Sequence, residues 1–384
     1  MANFSIHLNS MALPDKEAQD IENVIKILFE QALSERVFSG GVTGILIDRP
    51  GKKGMYVWTA GYTEQEKKFI VSENTFFDLA SLTKPLVTTL SILILIERGK
   101  IQFNTPLKAI LKGPIPKSKR NITVGDLLRH KSGLPAYRPY FLDLNTCEGF
   151  NKRKEKIVEF ILAEPLEKPL RTVSVYSDLG FILLGHIIEV VSSESLEVFW
   201  SKNIAIPLLL QDRLLFQPLL KVDIKNIAAT EKCQWMKRTL CGEVHDENCR
   251  SLGGIAGHAG LFGTVEGVME LCGFLLRTWR GEKILSHCSP QLLKKTFGRE
   301  ENEEWCYGFD TPSGEKSSSG KYFSRMTVGH LGFTGTSFWI DLYRGIVIVL
   351  LTNRVHPSRE NEKIKEFRPV FHDRLMEKLI KIAE

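Results

Sequence analysis

SLTKPLVTTLSILILIER, residues 81–98, opens with a hydroxyl and an amine three positions apart and runs on into an apolar stretch. The pattern reads as a buried helix whose spacing sets Ser81 and Lys84 on one face. Pro85 is tolerated there because first-turn N–H groups have no partner within the helix, and Gly99 supplies a stop. A serine hydroxyl is a poor nucleophile until a base takes its proton. Lysine can be that base when desolvation or nearby positive potential, such as a helix N-terminus, lowers its pKa. Ser-x-x-Lys alone is weak: it recurs at 313–316 and 318–321, in a Ser/Gly/Lys-rich stretch that reads as an exposed loop.

Working outward, residues 17–33 carry apolar positions at helical spacing. Two β-like runs follow at 42–48 and 55–61, joined by a turn over 49–53, and predict a hairpin. Residues 121–130 (NITVGDLLRH) predict a short helix, with Thr123 and Asp126 spaced to cap it, although the capping box favours Glu or Gln over Asp. SGLP at 132–135 breaks it. Helical patterns recur at 153–163, 179–192 and 196–204. Strand patterns return at 335–341 and 346–352 around a turn at 342–345, before a closing helix over 360–382. The expected fold class is α/β (α+β): an antiparallel sheet formed from both termini, flanked by helices, with a mainly helical insert. The chain reads as one unit, 1–384, with an α/β part at about 1–115 and 255–384 and a helical part at about 116–254.

Two further stretches can complete the chemistry. VYSDLG, 175–180, places a phenol and a carboxylate at a loop-to-helix junction. Tyr176 could take or relay the serine proton, and Asp178 could pair with Lys84. The plainer alternative is a helix start capped by Ser177 or Asp178. HLGF, 330–333, precedes the strand pattern at 335–341. Gly332 lets a substrate approach the backbone, the Phe333 N–H could join that of Ser81 in an oxyanion hole, and His330 could donate to a substrate or polarise Tyr176.

In this order and at these separations, the three elements resemble the penicillin-recognising serine hydrolases: class C β-lactamases, penicillin-binding proteins, D,D-peptidases and related esterases and amidases. Their pattern is Ser-x-x-Lys, Tyr-x-Asn, then Lys-Thr-Gly or His-x-Gly. The likeness covers about residues 20–375. Three stretches are similar to the β-lactamase-related branch: 122–135, 244–264 and 330–357. The resemblance implies a β-lactamase/transpeptidase-like fold, acylation of Ser81, shared acid–base roles for Lys84 and Tyr176, and an oxyanion hole at Ser81 and Phe333. Two departures stand out. Asp178 replaces the usual Asn, an acceptor-only group for an amide that can donate, which disfavours penicillins and cephalosporins. Its charge also raises the Lys84 pKa and makes Tyr176 the better base. His330-Leu331-Gly332 replaces Lys-Thr-Gly and loses a permanent charge, which suits a neutral ester or amide. β-Lactams and D-amino-acid peptides stay open as alternative substrates, and a penicillin-binding-like sensor or scaffold without turnover stays open as an alternative function.

Composition narrows the rest. With 384 residues, 43% hydrophobic and 25% charged, the chain can bury a sizeable core. A formal charge of +6 is modest, and the basic runs at 112–120 and 152–156 lack the aromatic interleaving of a nucleic-acid surface. The run at 86–96 is too short to span a bilayer, and the N-terminus shows no export signal. Seven scattered cysteines argue against a disulfide framework and for the cytoplasm. Cys233, Cys241, His245 and Cys249 lack zinc-site spacing, GGIAGHAGLFG at 253–263 lacks a phosphate-loop pattern, and no cofactor is called for. His245, Glu247 and His258 are open between cleft and bracing roles, and oligomeric state is not encoded in any pattern here. A fluorophosphonate probe should label the native chain, and Ser81→Ala should abolish that labelling.

Overall fold

The computed structural model describes residues 5–9, 15–66, 68–144, 146–147, 149–299, 305–313 and 317–383. Six strands form an antiparallel sheet: β1 (Ser5–Asn9), β2 (Gly40–Arg49), β3 (Lys52–Gly61), β4 (Thr327–Leu331), β5 (Ser337–Asp341) and β6 (Ile346–Thr352). Their spatial order is β1-β3-β2-β6-β5-β4, so β2 from the N-terminal half pairs directly with β6 from the C-terminal end.

The period-2 alternation of these strands feeds two cores. Ile45, Tyr56, Trp58, Trp339, Ile348 and Leu350 face the N-terminal helix Asp15–Ser34 and the closing helix Ile364–Ala383, meeting Ile25, Phe29, Phe371 and Leu375. Val42, Leu46, Phe338, Val347 and Val349 face the other way, onto the helix Val265–Trp279. That second core continues without a break into the helices of 116–254, through Leu127, Ile161, Leu183 and Ile187. Each fully buried aliphatic side chain contributes about 1.5–3 kcal/mol, so the helical part is welded to the sheet rather than hung on it.

Several elements differ from the sequence expectation. The stretch expected as one helix from 81 is a single turn of 3₁₀ helix at Ala80–Leu82, a π-helix at Lys84–Thr89, and only then an α-helix, Leu90–Glu97. Pro85 can make no backbone donor bond in that opening turn, and wide π turns accommodate such a loss. Ala80–Glu97 is long and apolar enough to cross a membrane by length and composition, but it is packed inside the protein as core. Asp126 does complete a capping box: its carboxylate accepts the Thr123 N–H at 2.8 Å while its own N–H donates to Thr123 Oγ1 at 3.1 Å. Arg171 clamps the same carboxylate at 2.8 and 2.9 Å, which fixes the shorter acid in reach. His330 lies within strand β4, which the sequence reading missed because Gly329 and His330 are poor strand formers. The glycine is needed: a Cβ at 329 would sit 2.3 Å from the Phe338 carbonyl oxygen. The strand pattern expected from 335 begins at Ser337, because residues 332–336 turn, with the Gly332 N–H donating to Thr336 O.

The segment before Ser81 is bolted into this frame. Ala80 holds φ +48°, a left-handed conformation that costs a non-glycine residue about 1–2 kcal/mol. Buried Asp78 holds it: one carboxylate oxygen accepts the Ala80 N–H at 2.9 Å and the other accepts the His245 N–H at 2.7 Å. Thr334 and Thr336 donate their hydroxyls to the carbonyls of Asp78 and Leu79, tying Ser81 to the loop after β4. Asp78→Asn keeps one acceptor and sets an NH₂ against a backbone N–H. It should lower stability by about 1–3 kcal/mol, read from the urea midpoint, and cut esterase kcat/KM by at least about tenfold through misplacement of Ser81.

Candidate active site

Ser81, Lys84, Tyr176 and Asp178 come from two helix starts that meet at one point. Ser81 is the middle residue of the 3₁₀ turn, and Asp178 begins the buried helix Asp178–Ser192, capped by the Ser177 hydroxyl on the Gly180 N–H at 3.2 Å. So Ser177 fills the capping role, and Tyr176 and Asp178 are left for the cleft. Lys84 Nζ donates to Ser81 Oγ at 2.9 Å and to the His258 carbonyl at 3.1 Å. It also forms an ion pair with Asp178, 2.7 Å from Oδ1. The Tyr176 phenol lines the same cleft as Ser81 and is coupled electrostatically to Lys84, whose ammonium lies 4.9 Å from the Tyr176 ring centroid.

The electrostatics follow from burial. Lys84 is fully buried, which alone would lower its pKa, but the charges of Asp178 and Tyr176 outweigh desolvation and raise it. Lys84 is therefore an ammonium at neutral pH. Burial pushes the Tyr176 phenol up, and the Lys84 charge offsets only part of that.

His330 is buried, and desolvation together with Lys84 pushes it down to about 3, so its ring is neutral. Its Nδ1 lies 2.8 Å from the Leu331 carbonyl, which can only accept, so Nδ1 carries the proton and Nε2 is an acceptor. The expected donation from His330 to a substrate must therefore be corrected: Nε2 has no proton to give, and it is buried without a partner. The His330 ring lies 5.9 Å from that of Tyr176 and 5.7 Å from Trp305.

Several residues at the site were not singled out from sequence. His130 accepts the Ser177 N–H at Nδ1, and its ring packs 4.7 Å from both Tyr176 and Trp305, so it fixes the phenol from behind. Burial, then Lys84 and His330, push its pKa well below the usual imidazole range. Its stretch, 122–135, carried family likeness, but only the fold brings it against Tyr176. Asp78, described above, gave no sequence signal.

The cleft holding these groups has a volume of about 890 Å³ and includes Gly332, Phe333, Trp305, Arg354 and Arg368. The Phe333 ring is half exposed, stacked 5.5 Å from His245 and 4.3 Å from the Arg354 guanidinium. His245 also contacts Glu231 at 3.1 Å, while Glu247 pairs with Arg359. His258 Nε2 lies 2.8 Å from Asp246. The glycine-rich 253–263 segment packs beneath the site: Gly257 O accepts Thr88 Oγ1 at 2.6 Å, and a Cβ at 257 would meet the Phe181 carbonyl at 2.0 Å. Among the described residues no group of three or more His, Cys, Asp or Glu could hold a metal ion. Of the other Ser-x-x-Lys matches, Lys316 lies outside the described residues, and Lys321 is exposed, over the Tyr322 ring.

A hydroxyl bonded to an ammonium, with a phenol in the same open cleft, can form and resolve an acyl ester. The Beta-lactamase family model matches residues 29–368. The chain is 30% identical over 347 residues to the N-acetylmuramyl-L-alanine amidase of Bacillus subtilis (strain 168), covering 83% of this chain and 78% of that one. It is 32% identical over 315 residues to a putative D-alanyl-D-alanine carboxypeptidase of Salmonella gallinarum, covering 76% and 72%. Among solved structures, a hydrolase with promiscuous acyltransferase activity superposes with a TM-score of 0.69 at 21% identity, over 91% of this chain and 99% of that one. The octameric penicillin-binding protein homologue of Pyrococcus abyssi gives 0.67 at 20% identity, over 91% and 76%. The chain belongs to the Beta-lactamase family and is a serine hydrolase with a β-lactamase/transpeptidase-like fold.

Proposed function

We propose that the chain hydrolyses a small ester or amide through an acyl-enzyme on Ser81, with Tyr176 as base and acid and Lys84 as the cation that makes this possible. The observation that carries the reading is the Lys84 ammonium, 2.9 Å from Ser81 Oγ and 2.7 Å from Asp178. Held as an ammonium, Lys84 cannot accept the serine proton. It stabilises the ionised form of the Tyr176 phenol, which takes that proton as Oγ attacks the carbonyl carbon. The N–H groups of Ser81 and Phe333 receive the oxyanion. Tyr176 then protonates the leaving oxygen or nitrogen, and water repeats the sequence on the acyl ester. The named activities of the relatives favour an amide or peptide bond as the natural substrate, with esters as more reactive surrogates. A reducing compartment, the cytoplasm, belongs to the proposal, since all seven cysteines are free and five are buried.

Esters and β-lactams separate the substrate classes. p-Nitrophenyl butyrate should be turned over in a Ser81-dependent manner, and nitrocefin at least about a hundredfold more slowly, because Asp178 has no N–H for the acyl-amide carbonyl. Brisk nitrocefin hydrolysis would falsify that preference.

The base also sets a pH dependence. The reactive Tyr176 is the deprotonated form, and its pKa lies above the usual value of 10, so kcat/KM should climb with pH through 9 without a plateau. Asp178 raises both Tyr176 and Lys84. Asp178→Asn removes that charge and should move the alkaline limb to lower pH by about one unit. An unmoved or upward-shifted limb assigns the base elsewhere.

A further inference from the structure

A short hairpin in the helical part carries apolar side chains into solvent. Its strands, Lys232–Cys233 and Arg238–Thr239, pair antiparallel, and residues 234–237 turn between them. The tip presents Trp235, 58% exposed, and Met236. The Trp235 ring lies 5.2 Å from that of Phe141, and the next residue, Leu142, is exposed as well. At the base of the hairpin, Cys241 Sγ donates to the Ile227 carbonyl at 3.4 Å. Leu219 packs so close to Gly242 that a Cβ there would sit 2.6 Å from Leu219 Cγ. Leu219, Ile224 and, at 78%, Leu220 are exposed beside that base. Single exposed apolar side chains are ordinary, but six on one hairpin and the turns packed against it form a patch.

The charges around the patch decide what covers it. Lys225 pairs with Asp223 and Arg238 with Glu243, but the exposed Lys221, Lys232 and Lys237 form no ion pair among the described residues. Asp143, beside Leu142, likewise has no cation there, so the charges left over are mainly positive. Stable protein interfaces are depleted in lysine, a long and strongly hydrated side chain. A second copy docked about a two-fold axis would also set these lysines against their own counterparts. An anionic lipid surface suits the same pattern. A tryptophan seats at headgroup level, aliphatic side chains enter beside it, and lysines reach the lipid phosphates.

We propose that this hairpin and the turns at its base dock the protein on an anionic lipid surface, with Trp235 and Met236 in the headgroup layer and Lys221, Lys232 and Lys237 on its phosphates. The docking does not depend on hydrolysis at Ser81, yet the hairpin is rooted in the wall of that cleft. Glu231, the residue before it, accepts from Arg359 Nε at 2.8 Å and contacts His245 at 3.1 Å, and both partners line the cleft. The Lys232 N–H donates to the Pro357 carbonyl at 2.8 Å. A docked hairpin therefore keeps the cleft close to the lipid.

Flotation of the full chain with lipid vesicles tests it, and needs no turnover. Phosphatidylcholine vesicles with about a third phosphatidylglycerol should bind at least about tenfold more tightly than phosphatidylcholine alone, and about 0.5 M NaCl should remove most of that difference. Trp235→Ser with Met236→Ser should weaken binding to the anionic vesicles at least about tenfold, and Lys232→Gln with Lys237→Gln at least about fivefold. All four side chains are exposed, so both double variants should keep the native circular dichroism and thermal midpoint. Should either fail to fold, quenching decides: brominated acyl chains should quench the tryptophan emission of the native chain and leave that of Trp235→Phe nearly unchanged. Equal binding to neutral and anionic vesicles, native binding by both folded double variants, or equal quenching of native chain and Trp235→Phe would overturn the proposal. So would self-association that Trp235→Ser abolishes in a chain that ignores vesicles, which assigns the face to a second copy.

Discussion

A buried ammonium organises this site. Lys84 is removed from water, and its Nζ meets three oxygens: Ser81 Oγ from its own turn, and the His258 carbonyl and Asp178 from distant parts of the chain. An isolated buried charge is too costly to keep, so each partner is a condition of the others. Asp178 holds the proton on Lys84, the His258 carbonyl fixes the ammonium from the glycine-rich segment, and Ser81 is what the remaining donor reaches. On the proposed reading this cation does not move a proton. It sets the energy of one on Tyr176, which makes Asp178 a regulator of basicity from one residue further away.

Ser81 needs a second support because the backbone just before it is strained. Ala80 sits in a left-handed conformation immediately before Ser81, and that strain persists only where the surroundings over-determine it. Here they do. Asp78 accepts from Ala80 and His245, Thr83 Oγ1 donates to Ala80 O at 2.7 Å, and Thr334 and Thr336 hold the carbonyls of Asp78 and Leu79. The threonines belong to the same loop as Phe333. Ser81 and the loop that carries Phe333 are therefore positioned by shared hydrogen bonds rather than independently, which on the proposed reading a differential fit to a transition state requires.

How much of this was legible in the chain depended on range. The hairpin of β2 and β3, the capped starts of the helices and the apolar run after Ser81 are local patterns, and they lie within a few residues of where the sequence puts them. Ser81, Lys84 and Tyr176 could be singled out because each sits in a short motif. Strand β4 was not, since Gly329 and His330 are there for close approach to Phe338 and for the site, against strand propensity. Asp78 and His130 escaped for another reason: an isolated Asp or His carries no pattern, and its role exists only once residues 47 to 167 positions apart are brought together.

The same limit governs charge. Counted by motif, the chain exchanges an amide for the carboxylate of Asp178 and a lysine for neutral His330, and so looks two steps more negative at its centre. Counted in space, the Asp178 charge is absorbed by Lys84, and Arg354 and Arg368 stand at the loop beyond His330 with backbone carbonyls as their only hydrogen-bond acceptors among the described residues. Substituting within a motif changes which residue carries a charge, not whether the cleft has one. A cation delivered from the closing helix also differs from one on the strand: it contacts the Gly332 and Thr336 carbonyls, so its position and the geometry of the Phe333 loop are set by the same bonds.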